Sequence, residues 1–182
     1  MPTTHILLLR GINVGKNNRI GMAPLREMLE GLGYTGVRTL LNSGNAVATA
    51  RDSSPATVAK AVQAAIRETF GFDIRVVVRS RAQVEDTIAR NPLPEAVHDP
   101  KSFHVGFCDP APPQDALDGL DQEPLAPQRI AIAGDAVYAW FAGGMQNSPL
   151  NKVLETRLAG VTVTMRNWNT VNKVLDLAEE RP

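Results

Sequence analysis

The chain has 182 residues, 43% of them apolar, with 19 lysines and arginines against 19 aspartates and glutamates. That length fits one medium domain or two small ones, and the balanced charge excludes general polyanion binding, so any contact with nucleic acid needs a local basic patch. A single cysteine, Cys108, excludes an internal disulfide, no apolar run approaches the ~20 residues of a membrane span, and residues 1–5 lack the basic stretch and cleavage site of a signal peptide, so the expected location is the cytoplasm.

In chain order, residues 5–10 predict a strand, His5-Ile6-Leu7-Leu8-Leu9-Arg10. It runs into a polar loop, Gly11-Ile12-Asn13-Val14-Gly15-Lys16-Asn17-Asn18-Arg19, richer in cations, asparagines and glycines than a connection requires. Met22, Leu25, Met28, Leu29 and Leu32 then recur at helical spacing, with Pro24 tolerated in the first turn and Gly33 as the stop. Val37 to Leu41 and Ala46 to Ala50 read as strands joined by the turn Asn42-Ser43-Gly44-Asn45. Ser54 caps a helix with Pro55 at its first position, a buried stripe of Val58, Val62, Ala65 and Ile66, and Gly71 after its end. Ile74, Val76 and Val78 alternate as a fourth strand. Ser80 and Gln83 form a capping box opening a linking helix that Asn91-Pro92 ends, and Pro92 to Pro100 reads as a linker.

The second half repeats the order. Phe103 to Cys108 predicts a strand, and Pro112-Pro113 opens a short helix ending near Leu120. Arg129 to Ala133 and Ala136 to Phe141 form a hairpin across Gly134-Asp135. Ser148-Pro149 starts a helix stopped by Gly160, Val161 to Met165 is a strand, and Val171, Val174, Leu175 and Ala178 mark a last helix. The fold class is therefore α+β: tandem ferredoxin-like β-α-β-β-α-β domains with a linking helix and a C-terminal helix. The expected division is residues 1–80, a linking helix and linker over 81–99, and a second domain over 100–182 with the last helix appended.

In such a fold the loop after the first strand and the hairpin between the second and third share one end of the sheet. A second cluster is expected where Gly143 to Ser148 and Arg166-Asn167-Trp168-Asn169-Thr170 lie at a common edge of the second sheet. Gly11 to Lys16 invites comparison with a P-loop and fails it. The glycine spacing is one residue short, Asn17 stands where a hydroxyl should hold magnesium, and the helix does not start at the lysine. What survives is a loop whose amides, with Arg10, Lys16 or Arg19, hold an anionic group. In the last motif Asn167 or Asn169 caps the final helix and Trp168 anchors it, while Arg166 beside a helix start and an indole suits a carboxylate or phosphate, or a stacked base.

Other chemistries fall away. Ser43 has no histidine nearby in sequence to act as its base. His104 and Cys108 share a strand face but stand about 13 Å apart, and three widely separated histidines make no metal site, so neither metal nor cofactor is expected. The central strands lack the aromatics with which an RNA-recognition sheet stacks bases.

The Arg10–Gly15 loop, the Asn42–Asn45 turn and the Arg166–Thr170 stretch, in that order and across nearly the full chain, resemble the marks of a bacterial family of cytoplasmic proteins whose domain is of unknown function. The resemblance implies paired ferredoxin-like domains and no particular activity. Two departures concern charge. Lys16-Asn17 follows Gly15 where relatives often carry a second glycine and then lysine, and Ser148-Pro149-Leu150 stands where they often have serine-lysine-leucine. Both departures move or remove a cation from a candidate site, and Lys16 or Lys152 is the cation positioned in sequence to compensate.

The preferred function is a protein that binds an anionic small molecule or a nucleic-acid backbone, the latter disfavoured by zero net charge. Arg10, Asn13, Lys16, Ser43, Asn45, Arg166 and Asn169 are the candidate contacts, the cations supplying charge and the others hydrogen bonds. The alternatives are an enzyme acting on a phosphorylated substrate and a structural or partner-binding module.

Overall fold

The computed structural model describes residues 1–51 and 54–179. Among the described residues, eight strands and five α-helices follow one another as β1 (Pro2–Leu9), α1 (Met22–Gly31), β2 (Thr35–Leu40), β3 (Asn45–Arg51), α2 (Pro55–Phe70), β4 (Val76–Ser80), α3 (Arg81–Ala89), β5 (Phe103–Asp109), β6 (Arg129–Ala133), β7 (Ala136–Trp140), α4 (Pro149–Arg157), β8 (Thr162–Asn167) and α5 (Trp168–Glu179). They build two four-stranded antiparallel sheets of one topology, ordered β2-β3-β1-β4 and β6-β7-β5-β8. This is the ferredoxin-like order expected from the sequence, twice over. The chain divides into two compact units, Met1–Glu85 with Lys173–Pro182, and Asp86–Asn172. No helix of the described residues is long and apolar enough to cross a membrane.

In the first unit, alternation along β1 sends Leu7 and Leu9 to the helix-covered face. There they meet Ala46, Ala48, Val76 and Val78 from the flanking strands and Leu25, Leu29, Val58, Val62 and Ile66 from α1 and α2. Ile6 and Leu8 on the other face are equally buried, which accounts for the unbroken apolar run Ile6–Leu9. Local signals set the helix ends. Ser54 accepts the Thr57 amide hydrogen at 3.2 Å and Gly71 closes α2 in the left-handed region. Ser80 and Gln83 form the expected reciprocal capping box, at 3.2 and 2.8 Å.

The core of the second unit gathers Val137, Ala139 and Phe141 with Leu150 and Leu158, and Val163 and Met165 pack against it. Gly106, at the centre of β5, lies opposite Val137 and Met165. A Cβ built there would stand 2.6 Å from Met165 Sδ, Val137 Cγ1 and Val163 Cγ1. The glycine is therefore the seat for three neighbours. Gly106→Ala should lower unfolding free energy by about 1–2 kcal/mol, since those side chains can shift only in part. Equilibrium denaturation checks it, and an unchanged midpoint would refute the tight seat.

Some expected elements differ. No α-helix forms between β5 and β6. Residues 114–119 make turns, followed by a single 3₁₀ turn at Glu123–Leu125. Gly119 adopts a positive φ, which leaves at most six residues after Pro113 for a helix to form in. Ala116, Leu117 and Leu120 still pack on the core, which is why the segment looked helical by its apolar spacing. The last strand runs on through Arg166 and Asn167, and α5 begins at the next residue, so Arg166–Thr170 is a strand–helix junction rather than a loop. Leu41 falls outside β2, which ends at Leu40, and Ile74 precedes β4 yet is buried with it.

Candidate functional site

The β1–α1 loop and the β2–β3 hairpin meet at one end of the first sheet, as topology requires. The joint begins in the backbone, where the Leu9 amide donates to the Gly44 carbonyl at 2.8 Å. Asn13 completes it. Its side-chain amide donates to the carbonyls of Ile20 (2.8 Å) and Asn42 (2.7 Å), and its Oδ1 accepts from the Ile20 amide (2.9 Å). Both amide hydrogens are thereby committed. Its φ of +54° is one that asparagine tolerates better than most residues. Asn18 repeats the device on a smaller scale, donating from Nδ2 to the Gly11 carbonyl at 3.1 Å. A tight turn from Val14 to Asn17 leaves Lys16 exposed near the loop tip.

The hairpin is held from within. Asn45 is buried and donates to the Leu40 carbonyl (2.9 Å) and to Ser43 Oγ (3.0 Å). Ser43 itself is exposed. The signature asparagines thus spend hydrogen bonds on the loops that carry them.

Two depressions flank the β1–α1 loop. One, of about 340 Å³, is lined by Asn13, Arg19, Ile20, Gly21 and Asn42. It opens at the start of α1, whose N-cap is Gly21, with no side-chain cap and no acidic residue in the first turn. Helix-start amides and an exposed arginine both favour an anion. The other, of about 310 Å³, is lined by Arg10, Gly11, Asn18, Asp73, Ile74 and Arg75. Its one carboxylate, Asp73, is bonded to Arg67 at 3.0 Å. Arg19 entered the sequence reading only as one of three loop cations. Arg75 was not singled out at all, because residues 74–78 read as a strand and a charge beside Ile74 carries no signal until the chain is folded.

Arg166 and Asn169 belong to the second unit. Arg166 is 9% exposed, pairs with Val105 across β5, and donates from Nη1 to the Met165 carbonyl at 2.8 Å. Burial pushes its guanidinium down to about 10, so it stays charged at neutral pH. Asn167 Oδ1 accepts the Thr170 amide hydrogen at 2.9 Å, capping α5 as one of the two asparagines was expected to do. Trp168 stacks on Phe103 with ring centroids 5.0 Å apart. Asn169 is exposed, and its backbone amide reaches the Pro100 carbonyl at 3.5 Å.

The same end of the second sheet holds a polar group that sequence reading missed. The Trp140 indole donates to Asp99 Oδ2 at 3.0 Å, and this bond, ahead of those from Ser102, holds the Asp99 carboxyl below its usual range. His104 lies edge-on to Phe141 and bonds the Ser102 carbonyl through Nδ1 at 3.0 Å. Burial lowers its pKa, opposed by the Ser102 bond and by Asp99. The unfolded chain therefore binds the proton more readily than the folded one. Stability should be whole above the ordinary histidine range and fall as pH drops through it towards the lower folded pKa. Urea midpoints at pH 7.5 and 5 should diverge less in His104→Gln than in the parent, and equal divergence would contradict the assignment. Among the described residues no cluster of three or more His, Cys, Asp or Glu side chains could hold a metal ion.

Comparison with known proteins follows the same lines. Residues 2–138 match the family model described as a protein of unknown function, DUF1697, a stretch that contains the first two motifs and ends before Arg166. The structure of the conserved bacterial protein SP0830 from Streptococcus pneumoniae is similar over 98% of this chain and 100% of that one, with a TM-score of 0.72 and 24% identity, a likeness of fold. No curated protein matches the chain.

Proposed function

We propose, for a chain that belongs to the DUF1697 family of proteins of unknown function, that the loop end of its first unit binds an anionic small molecule in the cytoplasm. The observation that carries this reading is the depression of about 340 Å³ in which Arg19 stands beside the uncapped start of α1. Its size lies within the range of small-molecule sites. Charge from Arg19 and dipole from the helix start act on one space. Arg10 and Arg75 line the second depression beside the same loop, where Asp73 is offset by Arg67, and Lys16 is exposed near the loop tip. Asn13 serves by joining the two loops, and Ser43 and Asn45 by bracing the hairpin from within. Arg166 and Asn169 belong to the other unit. A small recess on a chain of zero net charge favours a small anion over a nucleic-acid backbone.

Thermal unfolding of the purified protein against inorganic phosphate, pyrophosphate and nucleoside monophosphates tests it. A ligand at a hundred times its Kd should add about 2.7 kcal/mol, a Tm rise of several degrees, most of which Arg19→Gln should abolish. No shift with any of them, or a shift that survives in Arg19→Gln, overturns the proposal.

A second reading has its own support. The side chains of Asn13, Asn45 and Asn167, one from each motif, are bonded to backbone groups nearby, as expected if the motifs serve only turns and caps. It predicts that Arg19→Gln changes neither ligand response nor stability.

A further inference from the structure

A strand at the edge of a sheet turns the N–H and C=O of every second residue outward, where another strand can pair with them. In β6 those residues are Ile130 and Ile132. Across the two-residue turn, Ala133, Ala131 and Arg129 exchange bonds with Ala136, Tyr138 and Trp140, and the alternate residues face away from β7. The run Arg129-Ile130-Ala131-Ile132-Ala133 has one charge, at its end, and no proline, a composition prone to strand addition. Yet Ile130 is already paired. Its amide donates to Gln122 Oε1 at 3.2 Å, and its carbonyl accepts from Gln122 Nε2 at 3.0 Å. That is the exchange a residue of an added antiparallel strand would make. The other edges are closed in their own ways. In β4 the Val76 amide donates to Gln63 Oε1 at 3.0 Å, the Val78 carbonyl accepts from Arg79 Nη1 at 3.0 Å, and the Ser80 amide donates to Gln83 Oε1 at 2.8 Å. In β8 the Met165 carbonyl accepts from Arg166 Nη1. In β2 the register shifts between Thr35 and Arg38, an irregularity that blunts an edge.

We infer that Gln122 is a latch on β6, standing where a partner strand would stand, and that without it the β6 edges of two copies of this chain pair with each other. The pairing is antiparallel about a two-fold axis at Ala131, with Ile130 of each copy opposite Ile132 of the other. Arg129 then lies opposite Ala133, so no like charges meet. The latch is held ready by its own backbone. The Gln122 carbonyl accepts the Leu125 amide hydrogen at 3.1 Å, and Asp121 Oδ1 accepts that of Glu123 at 3.0 Å. The turns between β5 and β6 therefore have a task that the missing helix would not perform.

Amide hydrogen exchange of the full chain, read residue by residue in dilute and in concentrated solution beside sedimentation velocity, tests it. In dilute Gln122→Ala the Ile130 amide should exchange about tenfold faster than in the parent, the effect of one lost hydrogen bond. In concentrated Gln122→Ala the chain should sediment as a larger species, and the Ile130 and Ile132 amides should become protected again. The parent should show no concentration dependence at either amide. Gln122→Met keeps the length and bulk of the side chain and removes both bonds, so it gives the same reading should the alanine variant fail to fold. Unchanged exchange at Ile130 in both variants overturns the latch. Association that leaves Ile130 and Ile132 exchanging fast, or no association at any concentration, overturns the pairing of β6 with its copy.

Discussion

Gly44→Ala should cost about 3 kcal/mol of unfolding free energy, a large loss for the addition of one methyl group. Two causes add. The φ of Gly44 is +85°, where a Cβ costs about 1 kcal/mol. That Cβ would also stand 2.7 Å from Leu9 Cβ and 2.8 Å from Ile12 Cδ1. Ile12 can turn its terminal methyl, but Leu9 Cβ is fixed to a central strand. The hairpin cannot back away, because the Gly44 carbonyl accepts the Leu9 amide hydrogen at 2.8 Å. Gly11 separates the two causes. Its φ is +68° with no atom within 4 Å of the built Cβ, so Gly11→Ala should lose only about 1 kcal/mol. Urea denaturation of both variants measures the difference, and equal losses would remove the steric part.

Asn13→Ala should cost about 2–3 kcal/mol, through three hydrogen bonds and a left-handed residue that alanine accepts poorly. Asn13→Gly removes the same bonds and relieves the backbone, so it should be milder by roughly 1 kcal/mol. Asn13→Asp should resemble alanine or be worse, since its carboxylate would face the Ile20 and Asn42 carbonyls. Faster hydrogen exchange at the Ile20 amide, now bonded to Asn13 Oδ1, would report the released loop. If exchange there stays at the parent rate in Asn13→Ala, the side chain is not what closes the loop. The phosphate response should fade in the same variant, because Asn13 and Asn42 line the depression that their bond shapes.

The elements that sequence reading found best are those whose ends are written locally. Ser54 with Pro55, Ser80 with Gln83, and Gly134-Asp135 each specify a boundary within four residues, and each boundary is where it was expected. The false helix over residues 112–120 shows the limit of periodicity. Its apolar residues do face the core, but turns can present three side chains to a core as well as a helix can. The candidate site was half legible. Topology alone brought the loop after β1 to the β2–β3 hairpin. Polar side chains in loops look alike in sequence, and only folding turns the Asn13 amide to the Ile20 and Asn42 carbonyls and the Asn45 amide to the Leu40 carbonyl. Arg75 carried no sequence signal, because it reads as a strand residue.

The passage from β8 to α5 uses no connecting residue, since Asn167 ends the strand and Trp168 starts the helix. One added residue at that seam would turn every later position of α5 by about 100° about its axis, or else push β8 one step along β5 and send Arg166 to the opposite face of the sheet. Length is thus quantised at this point of the chain. Insertions and deletions should accumulate instead in the turn-rich stretch between β5 and β6, away from its core-packed Ala116, Leu117 and Leu120 and from Gln122, which bonds both backbone groups of Ile130. A library of single-residue insertions sorted for folded protein would draw that map directly, with a gap at residues 167–168 and survivors within 111–127 outside those four positions.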